Sequence, residues 1–512
     1  MKQIKTNINI MKKLTPCLSA IIVTMKNLLL FLSVCVLYAS CEYSKDDVLV
    51  YNAPDGEELS VKFKVSANGV SVPVYNARIC TEDMQGRHNA GIPAEADINY
   101  DITGFASFDM KKGPVRISIS VDELIATAKI LPTSFGIIPT IKGKTLTFEV
   151  DKPQHVTVEI NGDHIRSLHI FVNPEETDIP DPNDPDVIYF GPGIHEITSV
   201  SVSDNQTVYI AGGAVVRGIL GEDEKTGRRP ASFVLRGKNI TFRGRGIFDQ
   251  GLVPRTIARQ TMSVTVNGFK MEGVVLCNSS QWTVSLRDCN NVHIDNIKLF
   301  GHRANSDGID INSSVDVLVE NCFLRTWDDL VVVKTLKNSG QDAERIRVRK
   351  CVLYNEIAHA LSIGAELTRK VEDVVFEDCD IIGDHGREWT LRIYHTDKAL
   401  IKNVRFENIR IEESVRFASL WINTAVWTTD DERGHIEDVV FRNITVNNSG
   451  YPLHKEFEFL GFDADHAIRN VLIDNVVING RKVVQEDIVI NPERAPKEGI
   501  VMNDYVYNVT VK

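Results

Sequence analysis

Asn291-Val-His-Ile-Asp-Asn-Ile-Lys-Leu299 is followed by Asp316-Val-Leu-Val-Glu-Asn-Cys-Phe-Leu324 and then by Arg345-Ile-Arg-Val-Arg-Lys-Cys-Val-Leu353. The pattern returns as Asp373-Val-Val-Phe-Glu-Asp-Cys-Asp-Ile381, Asn403-Val-Arg-Phe-Glu-Asn-Ile-Arg-Ile411, Asp438-Val-Val-Phe-Arg-Asn-Ile-Thr-Val446 and Asn470-Val-Leu-Ile-Asp-Asn-Val-Val-Ile478. Successive copies start 25 to 35 residues apart. Each alternates aliphatic and polar side chains, the period of a strand with one face buried. No long run has helical period, and the Leu/Asn consensus of a leucine-rich repeat is absent. A unit that cannot bury its aliphatic face alone must stack on copies of itself. The chain is therefore all-β, and the repeat predicts a right-handed parallel β-helix of about ten coils.

Two details of the repeat fix what stacks on what. Asn296, Asn321, Asn408, Asn443 and Asn475 share one position, with Lys350 and Asp378 as exceptions. Asn side chains stacked at a bend can hydrogen-bond along a ladder. The next position carries Cys322, Cys351 and Cys379, spaced 29 and 28 residues apart. Cys80, Cys277 and Cys289 complete six cysteines beyond the leader, and none forms a CxxC or Cys/His zinc pattern. The expectation is buried free thiols, no metal and no cofactor.

Inside the repeat lies Asn305-Ser-Asp-Gly-Ile-Asp-Ile311, and then Trp327-Asp328-Asp329. Asp328 and Asp329 lie 21 and 22 residues beyond Asp307. If a coil takes a little over twenty residues, the pair stacks beside Asp307 on the next rung, about 4.8 Å away. Three acids at one spot repel, and at least one holds a raised pKa. Such a group suits cleavage of a glycosidic bond, in which one carboxylic acid protonates the leaving oxygen and another carboxylate activates water. The plainer readings are turn-capping aspartates, with Asp310 among them, or a calcium-ligand pair.

Upstream, Leu59–Val65, Val115–Val121, Leu146–Val150 and Val156–Ile160 alternate as strands with one wet face, punctuated by Gly and Pro. They predict a small antiparallel β-sandwich-like domain over 51–175. Pro174, Pro180, Pro182 and Pro185 mark a stiff linker, and the β-helix runs over 185–512. Residues 41–50 read as a flexible tether. The segment from Met25 to Ser40 has a short basic start and an apolar run too short to span a membrane, so 1–40 reads as a signal or leader. Tyr38-Ala39-Ser40-Cys41 resembles a bacterial lipobox, which makes Cys41 the expected lipidation site. Glu42, Asp46 and Asp47 resemble the surface-export signal of Bacteroidetes lipoproteins. The expected location is the outer membrane, through a lipid anchor. No basic run points to nucleic acid. The net charge is −12, and five lysines are the only charges before Cys41, so a chain starting there carries −17. A polyanionic substrate then needs a local basic patch. The expected partner is a polysaccharide, and the chain is expected to be a monomer.

The motif series resembles the polygalacturonase-type glycoside hydrolases of family 28, whose motifs are Asn-Thr-Asp-Gly, Gly-Asp-Asp, Gly-His-Gly and Arg-Ile-Lys. Here they read Asn305-Ser306-Asp307-Gly308, Trp327-Asp328-Asp329, Ala358-His359-Ala360 and Arg392-Ile393-Tyr394, in the same order. The resemblance covers about 185–480 and implies a pectin-lyase-like β-helix and an inverting hydrolase of a pectic polysaccharide. It implies Asp328 as general acid, Asp307 and Asp329 as holders of the attacking water, and His359 beside the acid. It implies Arg392 as a substrate-binding residue; Asn305, Tyr394 and Trp421 are further candidates for substrate binding, Trp421 as a sugar-stacking ring. The departures are Trp327, the alanines flanking His359, and Tyr394. A tyrosine offers a ring face and a hydrogen bond but no charge, which leaves galacturonan, rhamnogalacturonan, xylogalacturonan and a neutral glucan all open. The β domain ahead of Tyr189-Phe-Gly-Pro-Gly193 is also similar to the dextranase-like family 49. A non-catalytic glycan-binding β-helix is the alternative outside enzymes, and it would not need the three aspartates together.

Overall fold

The computed structural model describes residues 43–80, 100–222, 229–254, 257–279, 281–448 and 452–512. Cys41 and the leader lie outside them. Asp46–Lys512 is one compact unit. Within it the backbone is almost wholly strand.

Residues 48–174 fold as two sheets that share one apolar core, with Val65, Phe108, Ile117, Phe148, Val158 and Ile170 at its centre. The five-stranded sheet is antiparallel throughout. The six-stranded sheet contains one parallel pair, Asp163–Pro174 against Asp101–Met110, so this domain is mixed where the alternation predicted an antiparallel one. Val48–Leu49 pairs with Met110 and Asp109. The stretch read as a tether therefore ends in a strand, because Val48 finds apolar cover there. The predicted strand over Leu59–Val65 is shorter: Lys64–Ala67 is strand, while Leu59 makes only a single bridge to Tyr75.

From Val187 to Val511 a single sheet of 32 strands winds as a right-handed parallel β-helix. The repeated segments pair rung on rung. Val292 faces Val317, then Ile346, Val374, Val404, Val439 and Val471. Their inward side chains form one continuous core along the axis. Cys322, Cys351 and Cys379 stack within it as fully buried free thiols.

The repeated polar position is a corner with a left-handed backbone. Asn296, Asn321, Lys350, Asp378, Asn408, Asn443 and Asn475 all have φ between 52° and 55°. Asn adopts this conformation at low cost because its short amide bonds locally. The amides also bond between coils: Asn475 donates to Asn443 at 2.9 Å, and Asn443 to Asn408 at 3.1 Å.

The sandwich packs on one face of the β-helix. Phe105, Phe171 and Ile165 meet Phe300, Phe323 and Tyr354 in an apolar seam. Buried charges crossing the seam are fully engaged. Arg325 bonds Glu356 at 2.6 Å, Ser167 at 3.1 Å and the Ile165 carbonyl at 3.0 Å. Arg245 pairs with Asp109 at 3.0 Å. Such pairs fix register more than they add stability. The short loops that leave this face, at 302–308, 327–330, 356–360 and 385–390, turn the chain onto the neighbouring face.

Lys350 is the strained member of the corner row, since a lysine gains no local bond from φ near 54°. Lys350→Asn should raise the thermal midpoint, with a gain of about 0.5–1 kcal/mol. A lower midpoint in a melting experiment would contradict the corner argument.

Candidate active site

The site is built by register. Ile309 pairs with Val331, Leu361, Leu391 and Ala418 on successive rungs. Two residues earlier on each rung, Asp307, Asp329, His359, Trp389 and Arg416 form one column. Backbone bonds hold its first part: Gly308 N–H donates to the Asp329 carbonyl at 2.8 Å, and Leu330 N–H to the His359 carbonyl at 2.9 Å. Gly308 has no alternative here. A Cβ at that position would lie 2.4 Å from the Leu330 carbonyl oxygen.

The loop ahead of Asp307 is fastened from within. Ser306 Oγ donates to the Arg303 carbonyl at 2.6 Å. Asn305 takes a left-handed backbone, φ 61°, which points its N–H at Asp328 Oδ2, 2.8 Å away. Asp328 Oδ1 accepts the Asp329 N–H at 3.1 Å. Asn305 thus acts through its backbone. The carboxyl oxygens of Asp307, Asp328 and Asp329 come within 4.8 Å of one another.

Burial and mutual repulsion push all three upward. Asp307 rises to about 7 through burial and then the charge of Asp310. Asp328 rises to about 7 through burial and then the charge of Asp307. Asp329 stands well above the usual range, through burial and then both neighbours. The trio therefore holds protons jointly. In the resting site Asp329 has the strongest claim on a proton, whereas the motif resemblance implies Asp328 as the acid. Asp328 is the more open of the two.

Lys334 supplies the counter-charge. Its Nζ lies 3.2 Å from Asp307 Oδ2 and 3.1 Å from Asp310 Oδ1, and 4.3 Å from the Trp282 ring. The trio is close enough to hold a cation, but a metal ion would have to share Asp307 with this ammonium. Asp307 Oδ1 is buried with no hydrogen-bond partner. It is thus an acceptor without a donor.

His359 is neutral. Burial and then Arg392 push its pKa down to about 3. Its Nδ1 lies 2.7 Å from the Trp389 carbonyl, a bond that places the proton on Nδ1. Nε2 then faces Arg392 Nη1 at 3.3 Å. Arg392 was expected as an open fork for substrate. Instead it is buried, bonds Glu388 at 2.7 Å, and lies between the Tyr394 and Trp421 rings at 4.2 and 4.6 Å. Tyr394 in the family's lysine position is what allows this, since a ring can cover a guanidinium where an ammonium would repel it. With one face of Trp421 taken by Arg392, the more exposed ring is Trp427, 6.2 Å from Tyr394. Trp327 fills the floor with Ile357 and Cys80.

These groups line a cleft of about 430 Å³. Asn305, Asp307, Asp328, Asp329, His359, Arg392, Tyr394 and Trp421 all reach it, together with Lys334, Glu366, Arg387, Glu388 and Arg416, which motif reading missed. The register carried a signal for Lys334, which pairs with Asn312 one coil beyond Asp310. A larger cavity of about 610 Å³, between Lys152 and Arg410 under the sandwich, contains none of the aspartate trio.

The profile of glycosyl hydrolases family 28 matches residues 253–495. A probable polygalacturonase of Arabidopsis thaliana is 27% identical over 203 residues, 39% of this chain and 36% of that protein. A probable polygalacturonase of Vitis vinifera is 24% identical over 117 residues, 22% of this chain and 24% of that protein. The chain thus spans about a third or less of the length of these relatives. In structure the chain is similar to Dex49A from Penicillium minioluteum, with TM-score 0.59 and 12% identity over 91% of this chain and 96% of that one, a likeness of fold. With its β-helix and its motif order, the chain resembles the polygalacturonase-type glycoside hydrolases of family 28, whose profile matches just under half of its length.

Proposed function

We propose that the protein is an exported glycoside hydrolase, anchored through Cys41, that cleaves a pectic polysaccharide with inversion at the anomeric carbon. The observation that carries the reading is the gathering of Asp307, Asp328 and Asp329 at the cleft, buried or half-buried, with carboxyl oxygens within 4.8 Å. Holding three acids together costs stability, and a surface that only binds glycan has no use for that cost. The raised pKa values leave an acid protonated near neutral pH beside an ionised partner, as glycoside hydrolysis requires.

In this mechanism Asp328, the carboxyl nearest open solvent, protonates the leaving oxygen. Asp307 and Asp329, one rung apart, hold water, and Asp307, paired with Lys334, accepts its proton. Lys334 keeps Asp307 in its ionised form while Asp328 retains a proton. His359, neutral and oriented by the Trp389 carbonyl, offers Nε2 as an acceptor beside the acid. The carboxyl oxygens sit closer together than the about 6.5–9.5 Å that separates acid and base in most inverting enzymes. Inversion here therefore rests on the Asp307–Asp329 pair cradling water together, and the anomer released in the first turnovers, read by proton NMR, tests it directly. Product of retained configuration would exclude it.

Asp328→Asn should lower turnover of polysaccharide by about 10²–10⁴-fold. An aryl glycoside of the same sugar has a leaving group that needs no proton, so this variant should retain most of its rate there. Asp307→Asn and Asp329→Asn should lose both activities. Comparable loss on both substrates for Asp328→Asn would remove it from the acid role. The catalytic efficiency should fall as pH rises through about 7, where Asp328 loses its proton.

The same group makes a stability prediction. The folded pKa of Asp328 is raised to about 7, above the unfolded value. Its favourable contribution is present below about pH 4 and is lost as pH rises through about 7. Asp328→Asn should therefore be more stable than the parent at about pH 8, by about 1–3 kcal/mol, and no more stable at about pH 4. Equal melting shifts at both pH values would show that the acid is not perturbed.

A further inference from the structure

The cavity of about 610 Å³ under the sandwich is separate from the cleft. On the coil that begins at Lys350, the chain leaves the corner beside this cavity, passes under the sandwich as Val352–Asn355, and emerges at Ala358 and His359 in the cleft. Cavity and cleft thus open at opposite ends of one short strand. One wall of the cavity is the corner row. Asn296, Asn321, Lys350 and Asp378 stand on successive rungs and together span roughly 14 Å along the axis. The other wall is the sandwich, through Phe135, Lys152 and Gln154. Bonds between the two walls pin them together. Ser134 Oγ donates to Asp380 Oδ1 at 2.7 Å, the Thr133 N–H donates to Glu412 Oε1 at 2.7 Å, and His155 Nε2 lies 2.9 Å from the Asn321 carbonyl oxygen. A neighbouring cavity of about 640 Å³ shares Ser134, Phe135, Lys152 and Gln154 with the first, so the space continues as a groove over the sandwich.

The charges along this groove are unevenly paired. Arg410 is saturated, with bonds to Asp380 at 2.6 and 2.7 Å and to Asp378 at 2.9 Å. The two lysines are not. Lys152 and Lys350 are exposed on opposite walls, and among the described residues neither forms an ion pair. Asp295, the other carboxyl group of the cavity wall, accepts the Asn321 amide at 2.8 Å, and burial raises its pKa. Lys350 also holds its place at a cost. Its backbone lies at φ 54°, on a row otherwise built of Asn and Asp, and a lysine gains nothing locally from that conformation. Arg345 is a second long cation with a left-handed backbone, φ 53°, but it is bonded to Asp316 at 2.6 Å. Among the described residues no such partner accounts for Lys350.

A preformed groove with polar groups at every rung, two unpaired ammonium groups and one half-buried aromatic ring matches a chain of linked sugars that bears carboxylates. The ring offers an apolar surface to the C–H face of a sugar. We propose that this groove is a second, non-catalytic glycan site, which holds a uronate-bearing oligosaccharide segment between Lys152 and Lys350 and against Phe135. On the hydrolase reading, a polymer tethered here raises the concentration of its other segments at the cleft. The binding itself does not depend on that reading.

Calorimetric titration of the Asp328→Asn protein with oligogalacturonate tests the site without turnover. Lys152→Gln and Lys350→Asn should each weaken one binding equivalent about tenfold, and the double variant should lose that equivalent. Phe135→Ala should weaken the same equivalent with no change of charge. Lys350→Asn restores the residue that the corner favours, so its loss of binding cannot come from unfolding, and a melting curve checks this. Polyglutamate of similar length should bind at least tenfold more weakly than oligogalacturonate. With the wild-type catalytic residues, the double variant should cleave short oligogalacturonate at the parental rate and show a higher KM on long polymer. The proposal is overturned if the double variant binds oligogalacturonate as the parent does, or if polyglutamate binds equally well. A wild-type protein that loses this equivalent on double substitution yet cleaves nothing would overturn the catalytic reading and leave the second site standing.

Discussion

The site depends on one constraint, the register of a parallel ladder in which the coil that begins near Ile309 is 22 residues long. That length puts Asp329 directly on Asp307, and the preceding residue, Asp328, turns into the same space. A coil one residue longer would send one of these side chains to the opposite face of the strand. The hydrogen bonds that set the register belong to the backbone and are repeated on every rung. The protein can therefore hold three repelling acids together, because the cost falls on a scaffold stabilised along its whole length by a continuous aliphatic core.

Compensation is arranged around that cost. Lys334, one coil beyond Asp310, neutralises the inner side of the trio. On the outer side, Glu388, Arg392 and His359 form a chain of contacts, while burial and then Arg392 keep the histidine neutral. Tyr394 and Trp421 enclose the arginine of that chain. In this arrangement the cation nearest the chemistry organises protein groups, and Arg387, with only Glu388 at 3.9 Å, and Arg416 also line the cleft.

Much of this was legible in the sequence because a β-helix writes its geometry as a repeat. The aliphatic alternation gave the rungs, the Asn row gave the corner, and the spacing from Asp307 to Asp329 gave the stack. The left-handed corner at Lys350 and Asp378 was hidden by residue type, although both follow the row. Arg416 was missed for a different reason. Coils vary between 22 and 30 residues along this column, so partners two or three rungs away cannot be found by adding a fixed interval. Arg392 was read as a free substrate ligand because its engagement depends on Glu388, which lies on a loop with no repeat signature. The parallel pair inside the sandwich joins strands about sixty residues apart, and alternation alone carries no information about strand direction.

The central claim is that burial and mutual repulsion hold a proton on the aspartate trio near neutral pH. The most direct measurement is a pH titration of aspartate side-chain carboxyl carbons by 13C NMR on selectively labelled protein, with signals assigned through the single Asn variants at 307, 328 and 329. The account predicts that the resonances of Asp307 and Asp328 titrate in the region of pH 7 and that of Asp329 well above the usual carboxylate range, each responding to removal of its neighbours. If all three instead titrate independently near pH 4, as exposed aspartates do, the trio is an ordinary surface cluster and the account is wrong.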